Sequence, residues 1–290
     1  MHKEDHDTTH YGAAYQERLQ AGRRASAERV MPLMLDLCAP SSIVDFGCGL
    51  GSWLAEAMAF GVADVLGVDG SWVDPAMLVI PPTCFRSVEL RSPLDLGRRF
   101  DLALCLEVAE HLPAEAAPTL VETLTNHAPV VFFSAAVPGQ GGQGHVNEAW
   151  PSAWRELFRQ REFDCFDVLR ARIWAETGVE PWYRQNSLIF ASREHLLQTP
   201  NLAARLAEAV EPPVDIAHPE LFGAQVRWRA DAESQSSQLR AEHARLKEAY
   251  EAQRIELDAL RGSRSWRLTA PLRALTRFFR ATLSARKGPS

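Results

Sequence analysis

The run Ser42-Ile43-Val44-Asp45-Phe46-Gly47-Cys48-Gly49-Leu50-Gly51-Ser52-Trp53-Leu54 constrains this chain more than any other stretch. Ile43 to Phe46 is β-branched and aromatic, the composition of a short buried strand. It breaks into glycines spaced G-x-G-x-G and resumes as a helix near Ser52. Glycines at such a break let the backbone turn sharply and approach a ligand, and the helix that follows offers free N–H groups. Taken alone, the loop is equally a plain strand-to-helix turn.

A second apolar run, Val65-Leu66-Gly67-Val68, ends in Asp69. In a doubly wound sheet, an acid at the tip of strand two sits where a ribose hydroxyl pair is hydrogen-bonded. The dinucleotide fingerprint G-x-G-x-x-G is not matched, because the third glycine falls one residue early.

The pair V-D-F-G-C-G-L-G and V-L-G-V-D-G closely resembles the class I S-adenosylmethionine (SAM)-dependent methyltransferases, in the group found with bacterial glycan biosynthesis. The resemblance implies SAM as cofactor and a three-layer α/β/α Rossmann-like sandwich over 41–195. It also implies a cofactor set of Asp45, Gly47, Cys48, Gly49, Gly51, Asp69, Gly70, Glu89, Leu90 and Glu107. In that family the acid ending strand two holds the ribose hydroxyls. Glu89, where the family usually has Asp, stands at the adenine position, or is simply an exposed turn residue.

The remaining chain fits this frame. Residues 1–40 read as a helical cap. His2, His6 and His10 recur every four residues, and Pro32 marks a break or a new start. In methyltransferases of the type this chain resembles a leading helix often covers the SAM pocket, so the resemblance implies that Tyr11 or Tyr15 either reaches the cofactor or simply packs. Strands are expected at Cys84–Val88, Phe100–Cys105 and Val130–Ser134, with Phe163–Leu169 and Ser187–Ala191 closing the sheet as a pair. Helices follow Ser52, Pro113 and Pro151. Ala135–Gly144 is a glycine-rich loop, suited to a lid that admits substrate. The five cysteines show no C-x-x-C spacing and read as buried thiols in a reducing cytoplasm. No secretory signal is expected, because the N-terminal stretch is charged and has no apolar run.

Past residue 195 the character changes. Residues 196–230 read as helical pieces broken by Pro200, Pro212, Pro213 and Pro219, and 231–262 as a helical stalk or weak coiled coil. Leu239, Leu246, Tyr250, Leu257 and Leu260 share one heptad register, interrupted by His243 and Gln253, so self-association through this segment is expected. Residues 263–290 carry Trp266, Phe278 and Phe279 among arginines and no acid. That composition suits peripheral contact with the inner membrane, or docking on a protein surface. The net charge of −6 speaks against a nucleic-acid partner.

Methyl transfer requires an acceptor held in line and relieved of a proton. His111, after strand four, and His145, after the glycine-rich loop, are the candidate bases. Glu107, Glu110 and His111 at i, i+3 and i+4 would share one side of a helical turn. With His145 they make a set for Mg2+ or another divalent metal. This E-V-x-E-H element resembles that of the ubiquinone-pathway O-methyltransferases and the small-RNA 3′-end methyltransferases, where the matching residues hold a metal; in relatives it only shapes the pocket. Trp150, Trp154, Trp182 and Tyr183 either stack on a sugar or fill the core. The leading expectation is therefore a cytoplasmic SAM-dependent O-methyltransferase acting on a sugar hydroxyl or glycan precursor. Its acceptor rests on the resemblance of H-V-N-E-x-W and the tail to glycan-cluster methyltransferases. The alternatives are a metal-assisted enzyme for an RNA end or catechol-like ring, and a degenerate SAM-binding scaffold at a membrane assembly.

Overall fold

In the computed structural model, residues 13–207 and 215–274 are described, with backbone alone for 13–19. The expectations for His2, His6, His10, Tyr11, Pro212, Pro213 and the end of the tail lie outside these residues, as does the side chain of Tyr15. The chain divides after Gln225 into two compact units.

In the first unit, α1 (Ala13–Cys38) leads into β1 (Ser42–Phe46), α2 (Ser52–Ala59), β2 (Asp64–Asp69), β3 (Phe85–Ser87) and β4 (Leu102–Leu106). Then come α3 (Ala117–His127), β5 (Val130–Ser134), α4 (Pro151–Arg159), β6 (Phe163–Phe166), α5 (Arg170–Ile173) and α6 (Pro181–Asn186). The unit continues through β7 (Leu188–Ser192), α7 (Arg193–Gln198) and α8 (Pro200–Ala207). The strands form one sheet in the order β3-β2-β1-β4-β5-β7-β6. β1 to β5 are parallel, while β7 runs antiparallel between β5 and β6.

Strand alternation assigns side chains to the two faces. Ile43, Leu102, Leu104, Val130, Phe132 and Ile189 pack in one core with Met31 and Met34 of α1 and Leu54 of α2. Val44, Phe46, Ala103, Val131, Phe133 and Phe190 pack in the other with Leu120 and Leu124 of α3 and Phe158 of α4. Trp154 and Tyr183, two of the aromatic residues considered for sugar stacking, are buried in these cores. The order of the sheet reverses between β1 and β4, so the crevice outside their carboxyl ends is the topological switch point.

Two expectations are corrected. Pro32 does not break α1, which runs unbroken from Ala13 to Cys38. The lost N–H removes one hydrogen bond, but Val30, Met31 and Met34 on the same helix are fully buried, and that burial outweighs it. The long helix α9 (Pro219–Gly262) begins at Pro219, not near 231. Pro219 opens this helix because a first-turn proline gives up no intrahelical bond.

α9 passes into the second unit, and none of its residues is buried. Ser263 then caps α10 (Arg264–Leu268), its side chain accepting from Trp266 N, and the Arg273 guanidinium stacks on the Trp266 ring at 3.8 Å. Among the described residues, no helix is long and apolar enough to cross a membrane.

Candidate active site

The carboxyl end of β1 opens directly into the glycine loop. Gly47 has φ 80, and a Cβ there would lie 2.3 Å from Val108, so the turn tolerates glycine alone. Gly49 N donates to Asp69 Oδ2 at 2.7 Å, and Gly70 N donates to Asp69 Oδ1 at 2.6 Å. The buried acid ending β2 thus staples the loop after β1 to its own strand. Cys48 is buried against Gly67, whose Cβ would lie 2.7 Å from its sulfur, which gives it a packing contact. Gly70 lies under the Trp72 ring. Leu90 is buried, whereas Glu89 is exposed and accepts from Arg91 N at 3.0 Å.

Asp45 has the unsatisfied chemistry here. Alternation along β1 turns it to the α1 face of the sheet, where it is 2% exposed and its Oδ2 has no hydrogen-bond partner. Burial pushes its carboxyl up to about 7, the Asp69 charge adds to the rise, and Arg23 opposes it. Arg23 reaches in from α1, and a Cβ on Gly49 would lie 3.6 Å from its Nη1. Sequence reasoning named two tyrosines for this role and missed Arg23. The signal was the phase of the helix. Arg23 precedes the buried Ala27, Val30, Met31 and Met34 by 4, 7, 8 and 11 residues, along one helical stripe.

The opposite wall comes from β4 and the loop after β5. Glu107 leaves β4 with φ 55, a left-handed conformation that is strained for glutamate, and it is held there by Glu107 N donating to Ser134 O at 2.9 Å. Its carboxylate turns to Asn186 Nδ2 and Gln140 Nε2, each at 3.1 Å. The expected helical turn bearing Glu107, Glu110 and His111 on one side does not form. A single 3-10 turn over 109–111 presents Glu110 and His111, and the strained Glu107 precedes it.

Glu110, His111 and His145 do converge, with ligand atoms within 4.8 Å of one another. The two imidazoles meet edge to face at 4.9 Å. His111 Nδ1 faces Gly144 O at 3.3 Å and His145 Nδ1 faces Glu148 Oε1 at 3.0 Å, so Nε2 of each ring remains for a proton or a cation. Both Glu110 oxygens are buried without a well-formed hydrogen bond, and their polar neighbours are the Glu107 carboxyl and the Ala136 backbone. Its pKa is raised by burial and then by the Glu107 charge, while burial and His145 lower that of His111. Glu148, outside every expected site set, also accepts from Gly139 N at 2.7 Å and Gly141 N at 2.8 Å. Val146 N and Asn147 N donate to Glu110 O, which pins His145 onto the 109–111 turn.

A family model described as "Methyltransferase domain" matches residues 15–175, more than half of the chain. The chain belongs to this methyltransferase family. It is a class I, SAM-dependent enzyme. Among solved structures, the methyltransferase is similar to a sugar N-methyltransferase from Streptoalloteichus, at 17% identity over 67% of this chain and 100% of that one (TM-score 0.48). It is also similar to an amino pentose methyltransferase from Micromonospora echinaspora, at 17% over 63% and 98% (TM-score 0.46). A third is the magnesium protoporphyrin IX methyltransferase from Synechocystis, at 20% over 62% and 83% (TM-score 0.43). No curated protein matches the chain.

The crevice fits SAM. A cradle that side chains would fill, a buried acid with an orphan oxygen, a cation from α1 and an acid at the tip of β2 suit a ligand carrying a carboxylate, a cationic centre and a ribose diol. The buried Glu110 carboxyl, grouped with two imidazoles, likewise suits a divalent cation.

Proposed function

We propose that this methyltransferase methylates a hydroxyl of a sugar or related glycan precursor, and that Glu110, His111 and His145 activate that hydroxyl. Glu110 carries the reading: a buried carboxylate with two unserved oxygens, beside two imidazoles, has chemistry to do at the switch-point crevice. SAM supplies the methyl group as an electrophile on its sulfonium. Asp69 would receive the ribose hydroxyls, Arg23 the carboxylate, and Asp45 would face the cationic end, with Gly47, Gly49, Gly51 and Gly70 shaping the cradle. Glu89 and Leu90 would stand on the adenine side, as the family resemblance implies.

One of the two imidazoles would take the acceptor proton on its free Nε2 when no cation is bound there, and the depressed pKa of His111 keeps it neutral near pH 7. A divalent cation held by Glu110 and those same Nε2 atoms would act instead of the imidazole base, polarising the acceptor hydroxyl and lowering its pKa. The acceptor class is supported by the His145-Val146-Asn147-Glu148-x-Trp150 resemblance. Trp150 stays exposed five residues after His145, where it is free to lie on a sugar face.

The test is S-adenosylhomocysteine release with a panel of sugar and sugar-nucleotide acceptors, run with magnesium and with a chelator. Turnover on a sugar hydroxyl supports the reading, and its loss on chelation assigns the cation. SAM binding without turnover on any acceptor overturns the enzyme reading and supports a scaffold. The exposed Leu268 and Leu272 beside basic residues support peripheral membrane contact. A chain lacking 263–290 is expected to lose binding to anionic vesicles and keep SAM binding, as read by co-sedimentation and calorimetry.

Two further results concern the cofactor half. Arg23→Ala is expected to weaken SAM binding by about tenfold, or about 1.4 kcal/mol, the value of one charge-assisted hydrogen bond at a partly exposed site. Asp45 gives a pH dependence. Its raised folded pKa means that its contribution to stability is full below the unfolded value near 4 and is lost as pH rises through about 7. Since the cationic end of SAM favours the ionised form, affinity should rise between pH 5 and 7 with release of up to about one proton. Calorimetry in buffers of different ionisation enthalpy checks this, and Asp45→Asn should flatten the profile.

A further inference from the structure

The exposed apolar stripe on α9 runs between two rows of sorted charge. In the register where Leu239, Leu246, Gln253 and Leu260 occupy d and His243, Tyr250 and Leu257 occupy a, the five apolar members are all exposed, from Leu257 at 42% to Leu239 and Tyr250 at 66%. A helix of 44 residues with none buried has nothing among the described residues of its own unit to bury such a stripe against.

The flanking positions sort by charge. The e positions are Arg240, Lys247, Arg254 and Arg261, all basic. The g positions are Gln235, Glu242, Ala249 and Glu256, acidic or neutral. All eight are exposed, and among the described residues none of these charges is held in an ion pair within its own helix.

In a parallel pair, each g residue faces the e residue five positions on in the other helix. Two identical copies then place Glu242 against Lys247 and Glu256 against Arg261, with Gln235 against Arg240 and Ala249 against Arg254. Two contacts are attractive in each direction and none repels. An antiparallel pair would set e against e and g against g, so arginine and lysine would meet only one another and glutamate would meet glutamate. The sequence is complementary to itself in one orientation only.

We infer that residues 239–261 form a parallel, two-stranded coiled coil with a second copy of this chain. Leucine at three of the four d layers suits two strands, and the polar His243 and Gln253 layers fix the register at some cost in stability.

Light scattering on the full chain at tens of micromolar is expected to give twice the 32.3 kDa chain mass. The Glu242→Lys/Glu256→Lys variant makes every charged e and g position basic and is expected to fall to the single-chain mass. The Lys247→Glu/Arg261→Glu variant, which opposes glutamate with glutamate, should do the same. Mixed one to one, the two variants should return to twice the chain mass, because all four charged contacts in the mixed pair are then attractive. Since each variant is tested by its recovery in the mixture, misfolding cannot imitate the expected result. A wild-type chain of single mass, or charge-reversed variants that keep the double mass, overturns the proposal.

Discussion

Asp69→Ala is expected to weaken SAM binding by about a hundredfold or more. The carboxylate already holds Gly49 N and Gly70 N, so the substitution strands two backbone donors in the crevice as well as removing the acceptor proposed for the ribose. Charge-assisted hydrogen bonds of this kind contribute about 1.5–3 kcal/mol each, and losing those to the ligand alone gives about 3 kcal/mol. The free protein should lose a similar amount of stability, because the glycine loop is no longer tied to β2. Asp69→Asn keeps one acceptor and should fall between the two. Calorimetric titration of SAM, paired with thermal melts of the apo chain, separates the effects. Unchanged affinity in Asp69→Ala would remove this residue from the site.

The second large effect is on turnover. His145→Ala and Glu110→Gln are each expected to lower kcat by about 10²–10⁴-fold, the range for loss of a positioned acid–base group, with SAM affinity little changed. The asymmetry follows from placement. Both residues stand on the β4 and β5 side of the crevice, while the expected cofactor contacts come from β1, β2 and α1. Glu110→Gln is nearly isosteric and should leave the 109–111 turn intact, so its loss reads the carboxylate itself. If both variants turn over at the wild-type rate, the cluster has no part in the reaction.

The sheet was legible because its strands are buried on both faces and read as continuous apolar runs between glycine or proline punctuation. The glycine loop with Asp69 was legible because its spacing is a backbone requirement, now visible as the Gly49–Asp69 hydrogen bond. What escaped depends on long-range packing. Arg23 is contributed by a helix whose docking no local pattern states, and Glu148 acts by holding Gly139, Gly141 and His145 across a loop. The i, i+3, i+4 reading of Glu107, Glu110 and His111 assumed a helix where the chain turns through a left-handed residue. Pro32 misled because a proline rule is local while the burial of Met31 and Met34 is not.

The placement of β7 bears on how the chain is made. Its residues, 188–192, are the last of the sheet to leave the ribosome, yet they lie inside it, between β5 and β6. Until they arrive, β5 is an open edge carrying Val131 and Phe133, and β6 has no neighbour to pair with. A chain that has not yet delivered β7 therefore leaves the five strands β1 to β5 with an uncovered border at β5, the kind of edge that favours aggregation during folding. Closure of the sheet waits for residues 188–192, which join β6 to the rest.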